Sequence, residues 1–230
     1  MAKEKKLGIS HFINTQLKPI NGYHPLYMRL TYNRDSLKIK SPTYSILEEL
    51  GKLDDYNQER IKDNDIRIVH SIHKNVQDKL IGYSVKTFKD ELISQLYRDL
   101  GVVHYERLYH ALIDFLETNS NEGTAFFLDH YTTGSLDEIV NSFLDTIEEL
   151  NPELFIKFET EYQTHFVLDE VLKKHSLEQN WVYVSVADVL FNKDLLNQIN
   201  QKHKHLRKPF LDLQKLLNPF SQNSSMKEFI

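Results

Sequence analysis

Cysteine is absent from this chain of 230 residues, and glycine, proline and tryptophan are scarce, with seven, six and one residues. The lack of cysteine excludes disulfide bonds, thiolate zinc sites and cysteine nucleophiles. The small number of glycines and prolines, set against 12 tyrosines and 13 phenylalanines, is typical of an ordered and mainly helical protein. Any metal site would therefore have to be built from histidines and carboxylates.

Long apolar runs are also missing, since none approaches the roughly 18 residues of a membrane-spanning helix. The first residues, Met1-Ala-Lys-Glu-Lys-Lys6, lack the apolar core of a signal peptide. We therefore expect a cytoplasmic protein, and the absence of cysteine agrees with a reducing compartment.

Familiar catalytic signatures are absent as well. The chain contains no glycine-rich nucleotide loop, no Gly-Lys-Ser/Thr phosphate loop and no Gly-x-Ser-x-Gly motif. The paired carboxylates, such as Glu148-Glu149, fall where solvation explains them. Because no nucleophile, base and stabilising group can be assembled, we expect no enzyme and no cofactor.

Charge is distributed unevenly along the chain, although the net charge is only -5. Residues 1–46 hold eight Lys/Arg and two Asp/Glu, a net of +6. Residues 101–180 hold four bases and sixteen acids, a net of -12, whereas residues 181–230 return to +3 with seven bases and four acids. This polarity predicts different partners for the two halves.

The first 46 residues predict a small antiparallel sheet, with strands at about 8–17, 24–32 and 36–41. Leu26, Met28 and Leu30 alternate with polar or aromatic residues, and turn formers follow from Asn33. Such a sheet needs a helix to cover its apolar side, and the apolar spacing from Asp65 to Leu80 predicts one. The opposite side would be basic and aromatic, as is typical of a surface that meets phosphate.

The rest of the chain has helical patterns almost throughout. Predicted helices begin at Thr87, at Ser135, where Glu138 completes a capping box, and at Pro152. Residues 181–186 predict either a strand or the start of a buried helix. A last helix is expected from Pro209, and residues 221–230 are expected to form a loose tail. The predicted fold class is therefore α+β, with a sheet domain at residues 1–100 and an acidic helical domain at residues 101–230.

The order of motifs over residues 7–100 resembles the arm-type DNA-binding domain at the front of many tyrosine recombinases, the integrases of mobile elements. The likeness lies in residues 22–33 as the second strand, in Leu37-Lys-Ile-Lys40 as the third, and in residues 64–75 as the covering helix. In that family the sheet is laid into a DNA groove. The resemblance therefore implies DNA contacts from the outward-facing positions Tyr27, Arg29, Arg34, Lys38 and Lys40.

The chain departs from that family in two respects. It has Gly51 but no tryptophan between the third strand and the helix, and it has no counterpart of the recombinase catalytic domain. His104-x-x-Arg107 fits one catalytic motif by letter, but we interpret both as ordinary surface residues of a helix. The pairs His70 with His73 and His203 with His205 are fragments of a metal site at most, so we predict no metal.

A second basic cluster, Lys202-His-Lys-His-Leu-Arg-Lys208, can meet phosphate, although a flexible charged linker before Pro209 is the simpler interpretation. The leading hypothesis is a non-catalytic DNA-binding protein, resembling the front of a mobile-element integrase, whose sheet contacts duplex DNA. The alternative is a helical protein-interaction or scaffold module that contacts a protein partner or a second copy through residues 101–180. In that alternative the basic sheet face is merely solvated.

Overall fold

The fold begins with a three-stranded antiparallel sheet in the order β1-β2-β3. The chain is described from a computed structural model, which covers residues 6–19, 22–80, 82–119 and 136–219. The strands are β1 at Gly8–Ile13, β2 at Leu26–Tyr32 and β3 at Asp35–Lys40. Alternation along β2 buries Leu26, Met28 and Leu30 on one side and leaves Arg29 exposed on the other. The sheet and its register therefore follow from the polar and apolar alternation.

Helices make up most of the remainder of the described chain. Two of them begin at clear capping residues: the Ser41 side chain accepts a hydrogen bond from Tyr44 N, and the Asn57 side chain accepts one from Arg60 N. The helices are α1 at Pro42–Glu49, α2 at Gln58–Val76, α3 at Glu91–Leu96, α4 at Leu100–Asn119, α5 at Leu136–Leu150, α6 at Pro152–Glu178, α7 at Val186–Phe191, α8 at Lys193–Lys202 and α9 at Arg207–Leu217. Short 3-10 turns lie at Leu53–Asp55, Val85–Lys89 and Lys204–Leu206. The predicted α+β fold class is confirmed.

Helix α2 packs on the apolar side of the sheet. At β1, His11 Nε2 lies 3.1 Å from Asp65 Oδ2, and at the end of β2 the Tyr32 hydroxyl donates to Gln77 Oε1 at 3.3 Å. Both His11 and Tyr32 belong to the same side of the sheet as Met28, because they alternate with the exposed positions. The expected covering helix is therefore present.

The described chain forms two compact units. The first unit comprises residues 1–98 together with residues 175–230, and the second comprises residues 99–174. The domain boundary that the sequence predicted near residue 100 lies close to this division, but the return of the C-terminal residues to the first unit was not anticipated. The buried run from Val182 to Val189 explains the return, because it completes the apolar core of the first unit.

Polar contacts attach the C-terminal segment to α2 within the first unit. The Arg67 guanidinium donates to Asp188 Oδ1 and, at 3.1 Å, to the carbonyl of Tyr183. Its carbon lies 3.9 Å from the centroid of the Trp181 ring. Arg67 lies two residues after Asp65, which is roughly 200° around the helix. The C-terminal segment therefore occupies the face of α2 turned away from the sheet.

The second unit has an aromatic and aliphatic core formed by α4, α5 and α6. Leu112, Leu116 and Val140 are fully buried, and the Phe115 and Phe158 rings meet edge to face at a centroid distance of 5.1 Å. The apolar stripes that predicted these three helices thus form one cluster. Helix α6 begins at Pro152, as predicted from Asn151-Pro152.

Several element boundaries differ from the sequence prediction. Residues 42–49 form a helix that the sequence analysis did not predict, and Ser41 caps this helix, which starts with Pro42. Helix α2 starts at Gln58 rather than at Asp65. Thr87 lies inside a 3-10 turn and caps no α-helix. Residues 181–184 form neither a strand nor a helix; Ser185 is the N-cap of the buried helix α7, and of the run 181–186 only Val186 is helical. Ser135, half of the predicted capping box, and the tail at residues 221–230 lie outside the described residues.

Candidate nucleic-acid interface

The side of the sheet turned away from α2 carries polar, cationic and aromatic side chains. Cross-strand register places Ser10, Arg29 and Lys38 in one row, and Phe12, Tyr27 and Lys40 in the next. Because side chains alternate along each strand, these residues share one side. We call this side the outer face; it comprises Gly8, Ser10, Phe12, Tyr27, Arg29, Thr31, Ser36, Lys38 and Lys40, and it contains no acidic residue.

Arg29 and Lys38 form the centre of the outer face. They are paired directly across β2 and β3, and both are exposed. Among the residues that the structure describes, neither makes an ion pair. Two like charges directly opposite each other destabilise a sheet, so the arrangement favours an external anion.

The aromatic residues lie beside this pair. The Phe12 and Tyr27 rings stack with their centroids 5.9 Å apart and an angle of 25° between planes. Lys38 Nζ lies 5.8 Å from the centroid of Phe12, within the range of a cation–π contact. Phe12 therefore contacts the ammonium group of Lys38, and the half-buried Tyr27 lies opposite Lys40 in the strand register.

Lys40 is also on the outer face, but its charge is already paired. Its Nζ lies 2.5 Å from Glu48 Oε2 and 5.4 Å from the centroid of the Tyr44 ring, both on α1. Of the predicted contact residues, Lys40 is therefore less available to an anion than Arg29 or Lys38.

Arg34 lies at the tip of the hairpin, beyond the rows of the outer face. It forms the two-residue turn with Asn33, and both have positive φ, 70° and 52°. This conformation matches the twist of the flanking strands, and asparagine tolerates it better than arginine. Arg34 is exposed and can reach past the end of the sheet.

Tyr32 lies on the side of the sheet that faces α2, together with Met28 and Leu30. Its ring meets that of His73 edge to face at a centroid distance of 4.8 Å, and Tyr83 completes the cluster. His73 Nδ1 lies 2.7 Å from the Tyr83 hydroxyl, and burial lowers the His73 pKa while raising that of Tyr83. His73 is thus a core histidine, whereas His70 one turn earlier is exposed.

A group of exposed apolar residues near the end of β1 was not singled out from the sequence. Ile13, Leu17 and Tyr23 are all exposed although they are large and apolar. The Tyr23 hydroxyl donates to Asp54 Oδ1, and this hydrogen bond raises the Tyr23 pKa. Ile13 is the last residue of β1, so the apolar end of that strand was the available signal.

The sequence predicts that His104 and Arg107 are ordinary surface residues of a helix. In the structure both lie on α4 and are half-buried. Burial lowers the pKa of both, and it also lowers that of His165 on α6, where the charge of Arg107 acts in the same direction. The charge of Asp169 opposes the lowering of the His104 pKa without cancelling it, and Asp169 forms an ion pair with Lys173. The second unit therefore contains a compact group of titratable residues that spacing along α4 alone could not reveal.

The described parts of the chain meet the requirements of neither a metal site nor a membrane-spanning helix. Within residues 6–19, 22–80, 82–119 and 136–219, no three His, Asp or Glu side chains come together as a metal site would require. In the same residues, no helix combines the length and the apolar character needed to cross a bilayer.

Comparison of the chain with protein-family models, with curated proteins and with solved structures found no match. The resemblance to the arm-type domain of tyrosine recombinases therefore stays a prediction that rests on the residues of the sheet and its covering helix.

Proposed function

We propose that the protein binds duplex DNA through the outer face of its sheet, without catalysis. The observation that carries this proposal is the pair formed by Arg29 and Lys38. Both are cationic, exposed and directly opposed, on a face that contains no acidic residue. A DNA backbone supplies closely spaced negative charges that relieve their repulsion.

The other residues of the outer face support the same partner. Tyr27 and the serine and threonine hydroxyls can donate hydrogen bonds to phosphate oxygens, as such side chains do in many DNA complexes. Arg29 has the planar fork that pairs with the O6 and N7 atoms of guanine in the major groove. The resemblance to the recombinase arm domain agrees with this use of a three-stranded sheet.

Fluorescence anisotropy of the full chain with a labelled duplex, at low and at moderate salt, tests the proposal. The isolated residues 1–100 are unsuitable, because they lack the C-terminal segment that completes the core of the first unit. We expect the double variant Arg29→Ala/Lys38→Ala to weaken binding by about tenfold and to reduce its salt dependence.

The matched control is Lys52→Ala/Lys193→Ala, which removes two exposed lysines from the same unit but outside the sheet. Its effect on affinity should stay within about twofold, because only nonspecific charge is lost. Equal losses in the two variants, or no binding by the unaltered chain, would reject the outer face as a DNA-binding surface.

A second candidate function, contact with a basic protein, is favoured by one observation in the second unit. Leu150 and Ile156 are 81% and 58% exposed on either side of the junction between α5 and α6. A nearby cavity of about 180 Å³ is lined by the aromatic rings of Phe155 and Phe158 and by the carboxylate of Glu159, among others. Apolar contacts framed by acids fit a segment that combines lysines with apolar residues.

Titration of the full chain with a labelled amphipathic Lys/Leu peptide tests this candidate. Binding should weaken in Leu150→Ser/Ile156→Ser and persist in Arg29→Ala/Lys38→Ala. A peptide in which glutamate replaces lysine serves as the control. Equal binding of the acidic peptide would exclude a surface selective for basic partners.

A further inference from the structure

The basic cluster at residues 202–208 is an ordered turn between two helices. Helix α8 ends at Lys202, a 3-10 turn covers Lys204–Leu206, and α9 begins at Arg207. The flexible linker that the sequence favoured is therefore wrong, and so is a helix start at Pro209. The cations of this segment, which we call the basic turn, consequently have defined positions.

Packing fixes which side of the basic turn meets solvent. Leu206 and Phe210 are 1% and 0% exposed, so they anchor the turn in the core of the first unit. Lys204, Arg207 and Lys208 are exposed and lie within five consecutive residues. The basic turn therefore presents a compact cationic face rather than scattered charges.

No carboxylate close in sequence neutralises the charge of this cationic face. The sequence has no Asp or Glu between Asp194 and Asp212, and among the described residues none of the four cations at 202, 204, 207 and 208 makes an ion pair. The first turn of α9 contains no acid, although helix starts normally favour acids over bases. The arrangement lowers the stability of the free protein, and an external polyanion would offset that cost.

We propose that the basic turn is a second binding surface for the phosphate backbone of duplex DNA, separate from the outer face of the sheet. An extended polyanion suits it better than a small anion, because the cations are all exposed and do not enclose a buried space. His205 is exposed and His203 is half-buried, and both can contribute donors without adding acids. Contacts of this kind bind backbone and carry no base sequence information.

The position of the C-terminal segment makes the two surfaces distinct. Asp65 on α2 faces His11 of the sheet, whereas Arg67 faces Tyr183 and Asp188 of the C-terminal segment. The outer face lies on the far side of the sheet from α2, and the basic turn follows the segment on the other side of α2. The proposal therefore does not depend on DNA binding by the outer face.

The test compares two single charge reversals at equivalent places in the fold. Arg207 and Lys193 are the first residues of α9 and α8, both are exposed, and neither makes an ion pair among the described residues. We expect Arg207→Glu to weaken binding of a labelled 20-bp duplex by about fivefold or more and Lys193→Glu to change it by less than about twofold. The melting temperature of Arg207→Glu should equal or exceed that of the unaltered chain, because an acid suits this helix start.

Charge reversals in the basic turn, made on the Arg29→Ala/Lys38→Ala background, separate this proposal from the proposed function. Residual DNA binding should remain in that background and disappear when Lys204→Glu, Arg207→Glu and Lys208→Glu are added. An effect of the turn substitutions without any effect of the sheet substitutions would leave this inference intact and remove the outer face. If Arg207→Glu reduces stability, Arg207→Gln is the replacement, since it only removes charge.

Three results would overturn the proposal. The first is equal weakening of DNA binding by Arg207→Glu and Lys193→Glu. The second is displacement of the duplex by polyglutamate as effectively as by unlabelled DNA, because the turn would then attract any polyanion. The third is tighter binding of RNA than of duplex DNA, which would assign the basic turn to a different partner.

Discussion

Arg29 on β2 and Lys38 on β3 lie directly opposite each other on the outer face, although both side chains are positively charged. Among the described residues no carboxylate pairs with either. An arrangement that weakens the folded sheet calls for an explanation outside the sheet, and the phosphate groups of DNA provide one.

Reversing one charge of this pair should raise the stability of the fold and lower its affinity for DNA. Lys38→Glu places an acid opposite Arg29, so we expect the free energy of unfolding to rise by about 0.2–1 kcal/mol. DNA affinity should fall at the same time, because a phosphate contact becomes a repulsion. Urea denaturation and anisotropy measure the two effects, with Ser36→Glu as a control on the same strand. A loss of stability in Lys38→Glu would contradict the repulsion inferred here.

Lys40 should contribute less to DNA binding than Lys38 does. Its ammonium group is already paired with Glu48, so we expect Lys40→Ala to change affinity by less than about twofold and Lys38→Ala by about threefold or more. The reciprocal change, Glu48→Gln, should free Lys40 and raise affinity. Anisotropy at fixed salt checks all three variants. A larger effect of Lys40→Ala than of Lys38→Ala would show that the pair with Glu48 opens on binding.

The buried pair of Arg67 and Asp188 should be important for the stability of the first unit. Asp188→Ala leaves the guanidinium without its charged partner, and we expect the free energy of unfolding to fall by about 3–5 kcal/mol. The control is Asp212→Ala, whose exposed pair with Lys215 at 3.4 Å should contribute about 0–1 kcal/mol. Trp181, the single tryptophan of the chain, stacks on Arg67, so its fluorescence follows unfolding. Similar losses in the two variants would contradict a structural role for the buried pair.

Acid should destabilise the fold through His73. Burial lowers the pKa of His73 below its ordinary value of 6.5, and the charge of His70 adds to this effect, whereas Asp78 opposes it. Because the unfolded chain then binds the proton more tightly, the stabilisation present above pH 6.5 is lost as the pH falls. His73→Gln should therefore flatten the decline of melting temperature between about pH 7.5 and 5.5. The exposed His205→Gln should leave the decline unchanged.

The alternation of polar and apolar residues predicted the strands well, because it can be recognised within a few neighbouring residues. Leu26, Met28 and Leu30 face the core, and Arg29 faces outward, as a period of two requires. The alternation alone therefore predicts that Tyr27, Arg29, Lys38 and Lys40 share one face of the sheet. The pairing of Lys40 with Glu48 was not predicted, because it depends on how α1 packs after β3.

Contacts between distant residues account for most of what the sequence analysis missed. The return of residues 175–230 to the first unit depends on Arg67 meeting Asp188 across 121 positions, which no local pattern contains. The basic turn was interpreted as a linker because its charges dominate the composition, while the buried Leu206 and Phe210 that order it are few. The half-buried positions of His104 on α4 and His165 on α6 likewise depend on the packing of helices that are distant in sequence.

The division of the first unit into two separate stretches of sequence affects how the protein is made. During translation the sheet and α2 leave the ribosome long before the run from Val182 to Val189 that completes their core. Until that run emerges, the face of α2 turned away from the sheet is uncovered, and Arg67 has no carboxylate partner. The first unit can therefore be completed only after residues 99–174 have been synthesised, whereas those residues form a unit of consecutive sequence.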